Sequence, residues 1–176
     1  MHMARLYDSS MGPKGYSLAN LTVSFEKKIL ETKNRIITYL EKVLDKTDPR
    51  YHTLQNYKRL YWNTNYKKSM YKLFGRRKIL KSGKEGKTIE IPPIVDLHTR
   101  EDTVEAWVQY ACLDAEITFF LRETLVGLLK ELGTDFEGMK DMYDVYERYW
   151  RPFGEMLTDM ERIGIKVDRE HLKVDS

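Results

Sequence analysis

Tyr110 and Asp114 stand four residues apart in EAWVQYACLDAEITFFLRETLVGLLKEL (105–132), a run with no Pro and one Gly, Gly127. On a helix that spacing stacks the two side chains on one face. A carboxylate on an apolar stripe costs free energy unless it is paired, hydrogen-bonded or bound to a metal. Aspartate is also a weak helix-interior residue, because its side chain competes for the backbone. Two readings fit. In one, Asp114 is a satisfied core carboxylate bonded to a Lys, Arg or Tyr. In the other, Tyr-x-x-x-Asp is a nuclease motif, in which the carboxylate joins others in holding two divalent metals and the phenol orients the attacking water. Four residues alone do not decide between them.

The element that must carry the pair is a long helix. Val104, Trp107, Ala111, Ile117, Leu121, Leu125 and Leu128 recur at steps of three and four, with Phe119 and Phe120 adding width. Glu105, Gln109, Glu116 and Glu123 leave only a narrow polar stripe, so the pattern predicts burial on most of the circumference, Cys112 included. The helix should start near Thr99 or Asp102, whose acid suits the positive helix end, and stop at Leu132–Gly133. Upstream, Met1–Leu6 reads as the end of a helix or strand, and a Gly/Pro-containing loop follows. Ser17 suits an N-cap for a short helix through Phe25. Glu26–Lys46 carries Ile29, Ile36, Leu40 and Leu44 on one stripe and ends at Asp48-Pro49. Tyr51–Tyr66 is an aromatic-rich helix, and a further short helix through Tyr71 and Phe74 is broken by Gly75. Downstream of the long helix, Met142, Val145 and Tyr149 lead to Pro152, which should start a new helix or kink this one. Phe153, Met156, Leu157 and Met160 continue to a stop at Gly164; Ile165 and Val167 alternate as a strand, and Asp168 caps a last helix, REHL. The content is mainly helical with little β.

The formal net charge is only +3, with 32% charged and 41% hydrophobic residues, an ordinary balance for a chain with one sizeable core or parts of two domains. Its distribution is uneven. Between Lys58 and Lys87 stand eleven Lys or Arg and one acid, Glu85, so the rest of the chain is net negative. Lys72, Arg76, Arg77, Lys78, Lys81, Lys84 and Lys87 are interleaved or flanked by Tyr57, Tyr61, Trp62, Tyr66, Tyr71 and Phe74. Cations release counterions from phosphates, and aromatics stack on bases, so this stretch is a candidate nucleic-acid surface. The alternative is a solvated basic face whose aromatics turn into a core. RRKILKSGKEGK (76–87) reads as a mobile loop or a hairpin tip, with Thr88–Ile91 as a short strand before Pro92-Pro93. GKEGKT at Gly83–Thr88 is two residues short between its glycines for a phosphate-binding loop and is rejected. The one cysteine excludes an internal disulfide, and four scattered His give no zinc spacing. No apolar run approaches a membrane span, and the first residues lack the charged-then-apolar pattern of a secretory signal.

YWRPFGEMLTDMERIGIKVDREHL (149–172) resembles the entry to the polymerase domain of family A DNA polymerases, where a helix runs to a Gly stop, a short strand and an Asp-capped helix. That family carries a Tyr-x-x-x-Asp nuclease motif some tens of residues upstream. MHMARLYDSS, GYSLANLT, MYKLFGRRKILKSGKEGKTIEIPP, EAWVQYACLDAEIT and YWRPFGE are similar, in the same order, to its plant and protist organellar branch. These blocks are spread along the chain from Met1 to Leu172, and about 25–69 reads as a divergent or lengthened insertion.

The resemblance implies a proofreading 3′–5′ exonuclease of the DEDD type joined to a polymerase. Residues 1–133 would be the C-terminal part of an α/β ribonuclease H-like domain, with the insertion and the basic loop 76–87; 134–147 would be a linker; 148–176 would open the polymerase domain. Asp114 would then be a metal-binding carboxylate and Tyr110 would position the water. Divalent metal, Mg2+ or Mn2+, is the implied cofactor of the complete parent. The implied partners are DNA, as a single-stranded 3′ end or a primer-template, and the remainder of the polymerase chain, in a plastid or mitochondrion. The family's other exonuclease carboxylates and its polymerase catalytic residues match nothing in the chain. The expectation is therefore a piece of a longer polymerase that alone neither degrades nor synthesises DNA, holds no metal and leaves apolar surface bare. Two rivals of other classes are a complete small helical nucleic-acid-binding protein and a helical interaction module covered by a partner chain.

Overall fold

The computed structural model describes residues 2–12, 15–61, 69–80 and 83–167. The described residues are mainly helical, with one two-stranded sheet. The chain forms two compact units. One comprises Ser10–Leu125; the other comprises His2–Ser9 and the residues from Val126 onward.

In the first unit, Ser17 caps helix α2 (Leu18–Ser24), its hydroxyl accepting the Asn20 N–H at 3.3 Å. Helix α3 (Glu26–Val43) follows after Phe25. Pro49 opens the next helix, α4 (Pro49–Tyr61), where a missing N–H costs nothing. The Asp48 carboxylate accepts the Arg50 N–H at 2.8 Å at that start. The inner face of α3 is not the expected stripe. Ile29, Thr32, Lys33 and Ile37 are buried, whereas Ile36, Leu40 and Leu44 flank that face half-buried. The face is turned because Lys33 finds a carboxylate inside.

Ser69 caps helix α5 (Met70–Phe74), which stops at Gly75. There a Cβ would lie 2.3 Å from the Tyr71 carbonyl oxygen and 2.6 Å from Ile89 Cγ2, so only glycine fits. Antiparallel strands β1 (Arg76–Ile79) and β2 (Glu85–Glu90) follow, irregular between Arg77 and Ile79. Of the two expectations for the basic stretch, the hairpin is the one observed. Helix α6 (Ile94–Thr99) precedes the long helix α7 (Glu101–Glu131). Burial on α7 is concentrated from Ile117 onward, with Phe120, Leu121, Thr124, Leu125 and Leu129 all enclosed. The expectation of burial on most of the circumference is corrected for the earlier turns. Ala111, Cys112 and Phe119 are exposed, because no described element covers that side.

In the second unit, helix α1 (His2–Tyr7) buries Met3 and Ala4, with His2 against Trp150 at 5.5 Å between ring centroids. Helix α8 (Met142–Val145) is capped by Asp141, widens into a π-helical turn (Tyr146–Trp150) and continues as helix α9 (Arg151–Ile163). Pro152 cannot donate to the carbonyl four residues back. The turn before it relaxes to wider spacing, with Arg151 N–H donating to the Tyr146 oxygen. Gly164 ends α9 with φ +74°, a value that favours glycine. The expected strand at Ile165–Val167 is not formed, since no described segment pairs with it. The cap at Asp168 and the REHL helix lie outside the described residues.

Candidate functional site

Tyr110 and Asp114 both lie on α7, and the unbroken helix sets them on one face as their spacing predicts. Both are half-buried, and one carboxylate oxygen of Asp114 is inaccessible to solvent. The ring of Tyr110 belongs to an aromatic cluster. It meets Phe74 edge-on at 6.2 Å and Trp107 at 6.1 Å, while Phe74 and Trp107 are 6.0 Å apart and His98 stands edge-on to Trp107 at 6.4 Å. Phe74, the last residue of α5, is buried. The short helix therefore anchors the root of the hairpin beside Tyr110.

A second tie runs from the hairpin to the start of α7. Arg76 lies 3.6 Å from Asp102, which also receives Arg100 at 2.9 Å. The Arg100 hydrogen bonds, with the charges of Arg100 and Arg76, hold the Asp102 carboxyl below the usual carboxylate range. Asp102 is separated from Tyr110 by roughly 12 Å of helix axis.

The seven basic residues proposed from the sequence are not equivalent. Arg76, Arg77 and Lys78 are already opposed by Asp102, Glu85 (3.9 Å) and Glu90 (2.5 Å). Lys72, Lys84 and Lys87 are exposed and have no ion pair among the described residues. Lys81 lies outside the described residues. Among the earlier aromatics, Phe74 and Tyr57 are turned inward and Tyr71 is exposed; Trp62 and Tyr66 lie outside the described residues, as does the side chain of Tyr61.

On a different side of α7, two residues beyond Asp114, is a polar cluster that the sequence reading missed. Glu116, assigned to the solvent stripe, accepts from Lys33 at 2.9 Å and from the Tyr57 hydroxyl at 2.5 Å. Lys33 is only 1% exposed, and its ammonium lies 5.0 Å from the Tyr57 ring centroid and 5.8 Å from that of Phe120. Thus α3 and α4, inside the expected insertion, are fastened to the helix that carries Tyr110 and Asp114. The signal was present in α3: Lys33 falls four residues after Ile29 and four before Ile37, on the buried row.

Burial, then the hydrogen bond to Glu116 and its charge, drive the Tyr57 phenol far above its ordinary value of 10.0. Below that value the phenol is protonated in both folded and unfolded chains, and stability is independent of pH through this group. Above it the unfolded chain releases a proton that the folded chain retains, so stability must fall as pH rises. Urea denaturation followed between pH 9 and pH 11.5 should show this loss in the wild type, and a weaker loss in Tyr57→Phe.

Among the described residues no group of three or more His, Cys, Asp or Glu is placed to hold a metal ion. They do not by themselves fit a two-metal centre, and no step is assigned through one. Among the described residues no helix is long and apolar enough to cross a membrane.

Comparison with known proteins gives matches along nearly the whole chain. DNA polymerase I A, chloroplastic/mitochondrial, of Arabidopsis thaliana is 39% identical over 180 residues, 98% of this chain. DNA polymerase I B, mitochondrial, of Oryza sativa subsp. japonica is 39% identical over 175 residues, and DNA polymerase I B, chloroplastic/mitochondrial, of Arabidopsis thaliana is 37% identical over 180. This chain is similar throughout to one segment of plant organellar DNA polymerase I. It spans 14% of the length of each of these polymerases. No family model and no solved structure matches it.

Proposed function

We propose that the chain is a segment of an organellar DNA polymerase I acting in DNA replication and repair in a plastid or mitochondrion. The observation that carries this reading is similarity to organellar DNA polymerase I over 98% of the chain. In this reading residues 1–133 belong to a ribonuclease H-like 3′–5′ exonuclease domain, 134–147 are a linker and 148–176 enter the polymerase domain. Asp114 supplies one carboxylate of a divalent-metal site, Mg2+ or Mn2+, whose other ligands the described residues do not provide. Tyr110, braced by Phe74 and Trp107, orients the attacking water. The 176-residue chain alone neither cuts nor extends DNA.

Two measurements test this. An antibody against the chain should detect a native protein much larger than 21.0 kDa in source-cell extract; a native band at 21.0 kDa would overturn the reading. In that larger protein, Asp114→Asn should abolish metal-dependent 3′–5′ degradation and leave DNA affinity intact. Unchanged degradation would remove Asp114 from the chemistry.

The hairpin is the DNA-contacting surface in this reading, and its cations contribute unequally. Lys84→Ala/Lys87→Ala should weaken DNA binding and reduce the slope of log affinity against log salt by about 2, since each phosphate contact contributes about 0.9. Arg77→Ala/Lys78→Ala should change the slope less, because Glu85 and Glu90 already neutralise that pair. Equal slopes for all variants and the wild type would take the hairpin out of the interface.

A further inference from the structure

We propose that residues 132–147 form a latched joint and not a flexible tether, with Tyr143 as the latch between the last turn of α7 and the helix that follows. The proposal goes beyond reading 134–147 as a linker and concerns only contacts within this chain. The connecting segment closes on itself. Met142 N–H donates to the Leu132 oxygen at 3.0 Å, so the two ends of the loop lie side by side. Loops with adjoining ends pack as compact units. Inside this one, Phe136 N–H donates to the Thr134 hydroxyl at 3.2 Å. Met139 N–H returns to the Phe136 oxygen at 3.2 Å, with Gly138 at φ +75° in the third position of that turn, where glycine is favoured. The end of the loop and the start of α8 are tied twice. Lys140 N–H donates to the Asp144 carboxylate at 3.0 Å, and Asp144 N–H donates to the Asp141 carboxylate at 2.9 Å.

Tyr143 joins this loop to the elements on both sides. The Lys130 ammonium, from the last turn of α7, lies 5.1 Å from the Tyr143 ring centroid, within cation–π range. The same ring stacks on Tyr146, with centroids 6.1 Å apart and planes at 23°. Its hydroxyl donates to Glu147 at 2.9 Å. Glu147 in turn accepts from Arg151 at 2.9 Å, and Arg151 reaches Glu155 at 3.3 Å. One side chain therefore begins a polar chain that runs from α7 through the π-helical turn into α9. Leu129 before the loop and Val145 after it are both buried, so the segment is held at each end. A tether needs none of these bonds and would leave its backbone donors to water. Because the ring and the hydroxyl of Tyr143 serve different neighbours, losing that one residue frees the loop and α8 together.

Limited trypsin digestion of the 176-residue chain reads the latch at the Lys140–Asp141 bond, since cleavage tracks the population of the opened segment. Tyr143→Leu keeps apolar bulk and should be cut there about tenfold faster than wild type, the combined factor for one cation–π contact and one hydrogen bond. Lys130→Met, which keeps the apolar stem, and Tyr143→Phe, which keeps the ring, should each fall between. Adding Lys130→Met to Tyr143→Leu should bring no further acceleration, because the cation then has no ring to leave. Hydrogen exchange at the Met142 amide should follow the same order. Wild-type cleavage at Lys140 as fast as in the urea-unfolded chain would make the segment a tether and overturn the latch. Fully multiplicative effects of the two substitutions would overturn it too, since Lys130 and Tyr143 would then act independently. Should Tyr143→Leu fail to fold, Lys130→Met alone decides, because Lys130 is exposed and its loss leaves the helix intact: unchanged cleavage in that variant overturns the latch.

Discussion

Glu116→Ala should cost the first unit about 3 kcal/mol of stability, the low end of the range for removing one partner of a buried pair. Lys33 is 1% exposed, so the substitution takes from an enclosed ammonium the carboxylate 2.9 Å away, while the Glu116 side chain itself keeps 23% of its surface in solvent. The loss also strips the Tyr57 hydroxyl of its 2.5 Å acceptor. At a urea dependence of about 2 kcal/mol per molar, the unfolding midpoint should fall by about 1.5 M. The control is the double substitution Lys33→Met/Glu116→Leu, which removes both charges and keeps apolar volume. It should be far milder than Glu116→Ala, because a well-packed apolar pair replaces a buried ion pair at little net cost. If the single and double variants unfold at the same urea concentration, the lost pairing of Lys33 with Glu116 is not what destabilises the single variant.

That cluster also marks where sequence reasoning stops. Local features were legible because their causes are local. Ser17 capped the helix it was expected to cap, Gly75 ended α5, Gly164 ended α9, and the long run from Glu101 formed one helix. Pro152 signalled a disturbance, and the chain met it with a π-helical turn one step upstream. Lys33 and Glu116 are 83 positions apart, and although Lys33 falls on the row of Ile29 and Ile37, neither residue type names its partner. The earlier turns of α7 failed for the complementary reason: periodicity shows that a stripe is apolar, not that an element is present to cover it. Ile165 and Val167 alternate as a strand should, but a strand exists only as part of a ladder. Of the candidate site, the helix placement of Tyr110 and Asp114 was legible from spacing alone. The aromatic brace behind Tyr110 was not, because Phe74 and Tyr110 meet only through the fold.

Phe74→Ala should therefore have the second large effect, about 3 kcal/mol or more for emptying a buried aromatic position. Phe74 is enclosed and touches both Trp107 and Tyr110, so its removal opens a void between α5 and α7. Phe74→Leu separates volume from ring geometry. It refills most of the space but loses the edge-on contact with Tyr110, and should cost about 1 kcal/mol, the scale of such pairs. Because the hairpin begins two residues after Phe74, the alanine variant should also speed hydrogen exchange at the Leu80 and Gly83 amides, which close the tip. Exposed cations cannot supply that anchoring, since surface ion pairs such as Arg76 with Asp102 contribute little. Full amide protection in Phe74→Ala would mean that the hairpin holds its shape without the aromatic cluster. Tyr110 would then be positioned by α7 alone, and the link between the basic hairpin and the Tyr110–Asp114 face would lose its physical basis.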